Sequence, residues 1–366
     1  MVYPPPDGID VPRWGRNNPF WEAVMSEITT VGLDLAKNVF QLHGADARGG
    51  ALLRKKLRRA QVLAFFATLP PCVVTMEACG GAHFWGRELV KLGHDVRLIP
   101  PAYVKPFVKR QKNDANDAEA ICEAAQRPSM RFVPIKSEET QGAASVFRVR
   151  ELLIRQRTQA INALRGHLGE YGHVVPQGVR NVGRLIALIE SEASDLPATA
   201  RASLDVLAGM LAELDRQIGV LDAEIDRRAR ESEVVRRLMT SPGIGPLIAT
   251  SLATLAPPPE IFRKGRDFAA WLGLTPRQHS TGGKQRLGAT TRMGERSLRR
   301  LLIIGANSII IKRHCHTAAQ PGTWLGNMLT RKPPMLVRVA LANKMARIVW
   351  AILKSKEVYR APAMAA

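Results

Sequence analysis

Cysteine is scarce in this 366-residue chain: Cys72, Cys79, Cys122 and Cys315 lie far apart, and no C-x-x-C pair occurs. That pattern argues against a zinc ribbon and fits a reducing cytosol. His314-Cys315-His316 makes no convincing metal cluster, because adjacent residues on a helix point in different directions and no second Cys/His pair follows at finger spacing. Long apolar runs are missing as well. None approaches the roughly 20 residues that span a bilayer, and no secretory signal is visible, so a cytoplasmic protein is expected. Acidic residues are short: 32 Asp and Glu face 53 Lys and Arg, a formal charge of +21 with a pI near 10.5. Such an excess repels itself on folding unless a polyanion compensates it, and nucleic acid is the usual polyanion. A genome that favours Arg would also raise the charge, but basic enzymes seldom reach this excess.

Hydrophobic residues make up 46% of the chain, enough to bury cores, and the length suggests two or three domains. Residues 1–24 are rich in Pro, Gly and Asn without periodicity and read as a disordered leader or a start assigned too far upstream, with Met25 a natural start. From 25 to 136 strands alternate with helices. Strands are expected at Ile28–Leu33, Val39–His43, Leu52–Arg59, Cys72–Met76 and Val96–Ile99, and helices at Gln61–Leu69, Ala82–Leu92 and Asp114–Gln126. That alternation gives a mixed sheet with helices packed on it. Residues 137–232 read as helical linker, 233–358 as a mainly α C-terminal domain, and 359–366 as a frayed tail.

Within the linker, Leu204, Leu207, Leu211, Leu214, Ile218, Leu221 and Ile225 recur at alternating steps of three and four, a heptad seam flanked by charge. It reads as a coiled coil. Its partner is either another subunit, giving a dimer or tetramer, or the 145–168 helix folded back as an antiparallel hairpin; a plain amphipathic helix is the bland alternative.

Asp34 follows the first strand in VGLDLAK, and Glu77 follows another in VVTMEACGG. Strand C-termini of an α/β sheet gather at one edge, so the two can meet. Asp114 and Asp117, in KNDANDAEA, share one helix face at i and i+3. Four converging carboxylates repel one another, and hard divalent cations such as Mg²⁺ resolve that repulsion through oxygen ligands. Two such ions about 4 Å apart would stabilise both the attacking and leaving oxygens of a phosphoryl transfer. Taken singly each residue has a mundane reading: Asp34 caps a turn, Glu77 pairs with Arg87, Asp114 is an N-cap, and Asp117 favours the helix dipole.

Ser241–Thr254 (SPGIGPLIATSLAT) places Gly243 and Gly245 ahead of a helical run and resembles a helix-hairpin-helix, whose turn lets backbone N–H groups approach a DNA phosphate; a simple helix-breaking turn is the bland alternative. In the stretch that follows, Arg277, Lys284, Arg286 and Arg292 crowd around a Gly282-Gly283 hairpin turn that sets Ser280 among cations. A serine hydroxyl needs activation to act as a nucleophile, and a serine beside a Gly turn is more often a turn former.

The first-strand VGLDLAK, the ME at a strand end and the KNDANDAEA helix together resemble the insertion-sequence-110 family of transposases, over about residues 28 to 355. The resemblance implies a RuvC-like (RNase H-like) α/β N-terminal domain with Asp34, Glu77, Asp114 and Asp117 as a metal-binding tetrad. It also implies a C-terminal domain in which Ser280, just ahead of a Gly-Gly-Lys turn, is the nucleophile; Thr281 is the neighbouring hydroxyl. The family's later Ser-Lys-x-Gly reads Thr291-Arg292-Met293-Gly294 here. Further implications are double-stranded donor and target DNA, a structured guide RNA encoded by the element, Mg²⁺ or Mn²⁺ as cofactor, a homo-oligomer, and a bacterial, nucleoid-associated location. Two other readings stand beside it. One is a junction-resolving endonuclease that uses the tetrad with water; the other is a non-enzymatic helix-hairpin-helix binder.

Overall fold

A computed structural model describes residues 25–109, 113–311 and 322–361. The expectations for the 1–24 leader, for His314-Cys315-His316 and for the last five residues fall outside them. The chain divides into two compact units, Met1–Glu138 and Glu139–Ala366.

The first unit is built on a five-stranded mixed sheet. In chain order its strands are β1 (Thr30–Asp34), β2 (Val39–Ala45), β3 (Ala51–Arg58), β4 (Val73–Glu77) and β5 (Asp95–Ile99), arranged β3-β2-β1-β4-β5. β1, β2 and β3 pair antiparallel, whereas β1, β4 and β5 run parallel. Three helices cover it: α1 (Val62–Phe66), α2 (Ala82–Lys91) and α3 (Asp114–Ala125). The two faces of β1 explain the layering, since alternate residues of a strand point to opposite sides. Val31 and Leu33 are buried in one core with Phe40, Val62, Phe66, Met76, Trp85 and Leu89, where Phe40 meets Trp85 edge-on at 5.0 Å. Gly32 faces the other way and lies directly under α3. A Cβ built on it would stand 2.2 Å from the Ala118 carbonyl oxygen and 2.6 Å from the Cys122 nitrogen. Only glycine lets the helix backbone come this close.

The second unit is helical. It comprises α4 (Glu138–Glu170, all but its first residue), α5 (Val182–Glu190), α6 (Ala198–Glu231), α7 (Glu233–Met239), α8 (Pro246–Leu255), α9 (Gly265–Trp271), the ribbon β6 (Pro276–Gln278) and β7 (Leu287–Thr290), α10 (Arg296–Ile311), α11 (Trp324–Arg331) and α12 (Pro334–Ser355). The heptad seam lies on α6, where Leu204, Leu211, Leu214, Ile218 and Ile225 are buried. Its N-terminal half packs with Ala160, Ile161, Leu164 and Leu168 of α4 and with Leu185 and Ile189 of α5. Arg150 pairs with Asp222 and Arg157 with Asp215, so advancing along α4 means retreating along α6. That is the register of an antiparallel helix pair, one of the two partners that the sequence left open. The seam offered for subunit assembly is thus covered within the chain.

A separate core is formed by α7 to α10 and α12, with Leu238, Leu252, Phe268, Leu302, Ala306, Val337 and Val349 fully buried. No described helix is long and apolar enough to cross a membrane.

Candidate active site

Asp34 and Glu77 are the last residues of β1 and β4, one position inside the strands rather than after them. The strands are parallel neighbours with Leu33 opposite Met76, so both carboxylates emerge at the same sheet edge. The third element is α3. Its N-cap is Asn113, whose side chain accepts from the Ala115 N–H at 3.1 Å. Asp114 and Asp117 are thereby left in the first turn without a capping duty. Because α3 crosses Gly32, with the Cys122 thiol facing the Thr30 carbonyl, its N-terminal end reaches the Asp34 end of β1.

Asp34, Asp114 and Asp117 each offer a carboxylate oxygen, and all three atoms lie within 4.8 Å of one another. Glu77 stands outside that tight group but is close enough for the Asp117 charge to act on it. Burial, then repulsion from Asp117, Asp114 and Glu77, pushes the Asp34 carboxyl up to about 6. Burial, reinforced by Asp117, raises Glu77 too. The mundane partner considered for Glu77 is engaged elsewhere: Arg87 donates to the Lys136 carbonyl at 2.9 Å and pairs with Glu138. Two half-buried carboxyls, Asp34 and Glu77, that burial and neighbouring acids hold back from ionising, beside Asp114 and Asp117, make an oxygen-ligand set suited to a divalent cation.

Two residues here escaped sequence reasoning. Gly32 is the platform for α3, and a small residue inside an otherwise apolar strand was its only signal. Cys79 is exposed, and its thiol is raised by burial and by the Glu77 and Asp34 charges, which puts it beside the acids. Nothing in its sequence context announced that.

In the second unit, β6 and β7 form the expected hairpin. Gly282 (φ 56°) and Gly283 (φ 75°) both occupy the left-handed region that such a turn requires, and the Lys284 N–H donates to the Thr281 carbonyl at 3.1 Å. Ser280 is exposed, and its hydroxyl accepts from the Arg286 N–H at 3.2 Å. Arg277, Lys284, Arg286 and Arg292 are all exposed, and among the described residues none of the four pairs with a carboxylate. Arg292 holds a positive φ of 56°, a strained conformation for a side chain of its size. The turn that carries it is locked from behind. A Cβ on Gly294 would come 1.7 Å from the Trp271 oxygen, and Arg299 donates to the carbonyls of Leu272 and Met293, both at 3.0 Å.

The two glycines of the SPGIG turn differ. Gly243 (φ 77°) packs against α10, where a Cβ would meet Ile309 at 2.7 Å and the Gly305 carbonyl at 2.8 Å. Gly245 has open space around it and begins α8, so of the two it is the one a phosphate could approach. The turn borders a cavity of about 740 Å³ walled by α4, α8 and α10.

Two family models match the chain. Residues 31–173, which hold all four carboxylates, match the transposase family DEDD_Tnp_IS110. Residues 235–320, which hold the SPGIG turn and Ser280, match the family described as Transposase IS116/IS110/IS902. The chain is 49% identical over 338 residues to a probable family 20 transposase of Pseudomonas aeruginosa, covering 91% of this chain and 99% of that one. It is 41% identical to the transposase for insertion sequence element IS1328 of Yersinia enterocolitica, covering 92% and 99%. The identity is 39% with the transposase for insertion sequence element IS1111A of Coxiella burnetii, covering 92% of each. The matched families and relatives define a DNA transposase, and its DEDD domain together with the acidic group points to divalent metal. The chain belongs to the IS110 family of insertion-sequence transposases.

Proposed function

We propose that this transposase cuts and rejoins DNA strands through a covalent phosphoserine, with Mg²⁺ held by Asp34, Glu77, Asp114 and Asp117 and with Ser280 as the nucleophile. One observation carries the reading: Asp34, Asp114 and Asp117, from positions far apart in the chain, bring their carboxylates together, and burial with mutual repulsion raises Asp34. The sheet order β3-β2-β1-β4-β5, with α3 laid across β1, supports taking this unit as RuvC-like. All-oxygen ligands of this kind suit Mg²⁺, with Mn²⁺ as a substitute; bound there, the metal would polarise a phosphodiester and favour an ionised hydroxyl.

The residues divide the work. The Ser280 oxygen attacks phosphorus, its proton departs, and the bond to the 3′ oxygen breaks to release a 3′-OH. Arg277, Lys284 and Arg286 hold the phosphate and offset its developing charge. The 3′-OH of a partner strand then attacks the phosphoserine, restoring the serine hydroxyl. Because the ester stores the bond energy, no nucleotide cofactor is required. The Ser241–Gly245 turn, with Gly245 open, is read as the phosphate-contacting hairpin of a helix-hairpin-helix. The net charge of +21 suits a load of target DNA together with a structured guide RNA, in which base pairing selects sequence and phosphates supply affinity. Exchange between two duplexes needs two such sites, which a homo-oligomer supplies; with the heptad seam covered, the exposed Val206, Met210 and Val220 of α6 offer the apolar surface for assembly.

The test incubates protein, Mg²⁺, the RNA transcribed from the element's flank and labelled DNA, and looks for a denaturation-resistant adduct. Ser280→Ala abolishes it and Thr281→Ala does not. The reverse result would move the nucleophile to Thr281. Cleavage that survives Ser280→Ala with no adduct would mean that water is the nucleophile, as in a junction resolvase.

A further inference from the structure

From Arg296 to Lys356 the sequence holds twelve Lys and Arg and no Asp or Glu. Near the middle of this acid-free run the chain makes a sharp turn between α11 and α12, and Arg331, Lys332, Pro333, Pro334, Met335 and Leu336 are all exposed there. Met335 is 62% exposed and Leu336 52%, although each is a residue that folding normally hides. Single exposed apolar residues are ordinary. Two adjacent ones at a Pro-Pro turn, with cations on both sides, are not.

The tip is also rigid. Pro333 and Pro334 fix their φ angles, and the Leu336 and Val337 N–H groups both donate to the Pro333 carbonyl. Directly behind the exposed pair, Val337, Leu341, Ala342 and Met345 are buried in the core. The Arg338 guanidinium lies 4.0 Å from the Met335 sulfur, which sets a charge beside the apolar tip.

We propose that Met335 and Leu336 form a wedge that inserts at a base step of duplex DNA and bends it, while Arg331, Lys332 and Arg338 hold the flanking phosphates. A stiff apolar pair framed by cations is the chemistry by which proteins unstack a step and kink a duplex. Charge decides the occupant. A second copy docked through the same tip would bring this acid-free stretch against itself, whereas DNA neutralises it. The proposal rests on the chain being a DNA transposase but not on Ser280 or the carboxylates.

The experiment uses the full-length protein and a duplex of about 40 base pairs carrying end-to-end fluorescence-transfer dyes and 2-aminopurine beside flexible TA steps. Wild-type protein is expected to shorten the end-to-end distance and to raise 2-aminopurine emission. Met335→Ala/Leu336→Ala loses most of both signals while its Kd changes by less than about fivefold, because phosphate contacts remain. Met335→Leu/Leu336→Met, which keeps apolar volume, retains both. Both pairs of substitutions sit on exposed side chains, so the core is spared. Bending that is unchanged in the alanine variant would overturn the wedge. So would a change in its sedimentation with bending intact, which would make the tip a contact between copies. Wild-type protein that binds the duplex without deforming it would sink the wedge alone; wild-type protein with no affinity for DNA would sink the transposase reading.

Discussion

The two units carry their chemistry in opposite ways. In the first, four acids are assembled by the packing of a sheet and a helix, and the site cannot be moved without moving the core. In the second, Ser280 and its cations ride on a short ribbon whose strands are almost wholly exposed. A site that must hold like charges together needs a scaffold able to withstand their repulsion. The nucleophile proposed at Ser280 would have to meet a large polyanion and needs access instead. Where the ribbon joins the helices it is tied down, by the close packing at Gly273 and Gly294 and by Arg299 and Asn343, which donate to the Leu272 and Leu274 carbonyls.

This contrast can be broken most severely at the acids. Asp34→Asn and Asp117→Asn should each lower strand cleavage by about a thousandfold, measured by single-turnover gel assay, while leaving DNA binding intact or stronger. Removing divalent metal with EDTA should match them. An equal loss of DNA affinity would recast the acids as structural.

The next largest effect is on the scaffold. Gly32→Ala drives a methyl into the α3 backbone and should cost about 3 kcal/mol of stability, read as a lowered Tm, with metal affinity lost in parallel. Gly245→Ala, in open space, should cost much less and weaken DNA binding instead. Similar melting losses at the two positions would erase the distinction.

A smaller effect is the pH dependence of the metal-free protein. Asp34 titrates near 6 when folded against 3.8 when unfolded, so the folded state holds the proton more tightly. The resulting stability is fully present below about pH 4 and lost as pH rises through 6. A shift of this size on a half-buried group, discounted for solvent screening, amounts to about 1–2 kcal/mol. Urea melts in EDTA from pH 4 to 7 should show that decline, and Asp34→Asn should flatten it. A parallel decline in the variant would assign the effect elsewhere.

The smallest change tests the ribbon's strain. Arg292→Gly relieves the positive φ and should raise stability by about 1 kcal/mol, while DNA affinity falls a few-fold and its salt slope shrinks by about one unit. Destabilisation by this substitution would mean that the side chain's packing outweighs its backbone strain.

Much of the first unit was legible because its signals are local and periodic. Val31 and Leu33 alternate as a strand should, and KNDANDAEA announces a helix, although its cap is Asn113 and not the Asp114 that the sequence suggested. The boundaries slipped by one to three residues: the helix expected over Gln61–Leu69 ends at Phe66, and Asp34 and Glu77 close their strands instead of following them, since ladder pairing continues past the apolar run. The hairpin at Gly282-Gly283 was equally readable, because two adjacent glycines serve one turn type well. What stayed hidden depends on long-range contact. A heptad pattern says that a seam is buried but not by what, and the Arg150–Asp222 and Arg157–Asp215 pairs identify α4 only once the chain is folded. Gly243 reads as part of a phosphate-approaching turn yet packs closely on Gly305, and Arg299 buttresses two carbonyls that no pattern foretells.

The central claim is most directly tested by isolating the protein–DNA adduct, digesting it with nuclease and trypsin, and sequencing the Gln278–Lys284 peptide by mass spectrometry. The account predicts a nucleotide phosphate attached at Ser280. A modification on Thr281, or an unmodified peptide from an adduct that nonetheless forms, would contradict it.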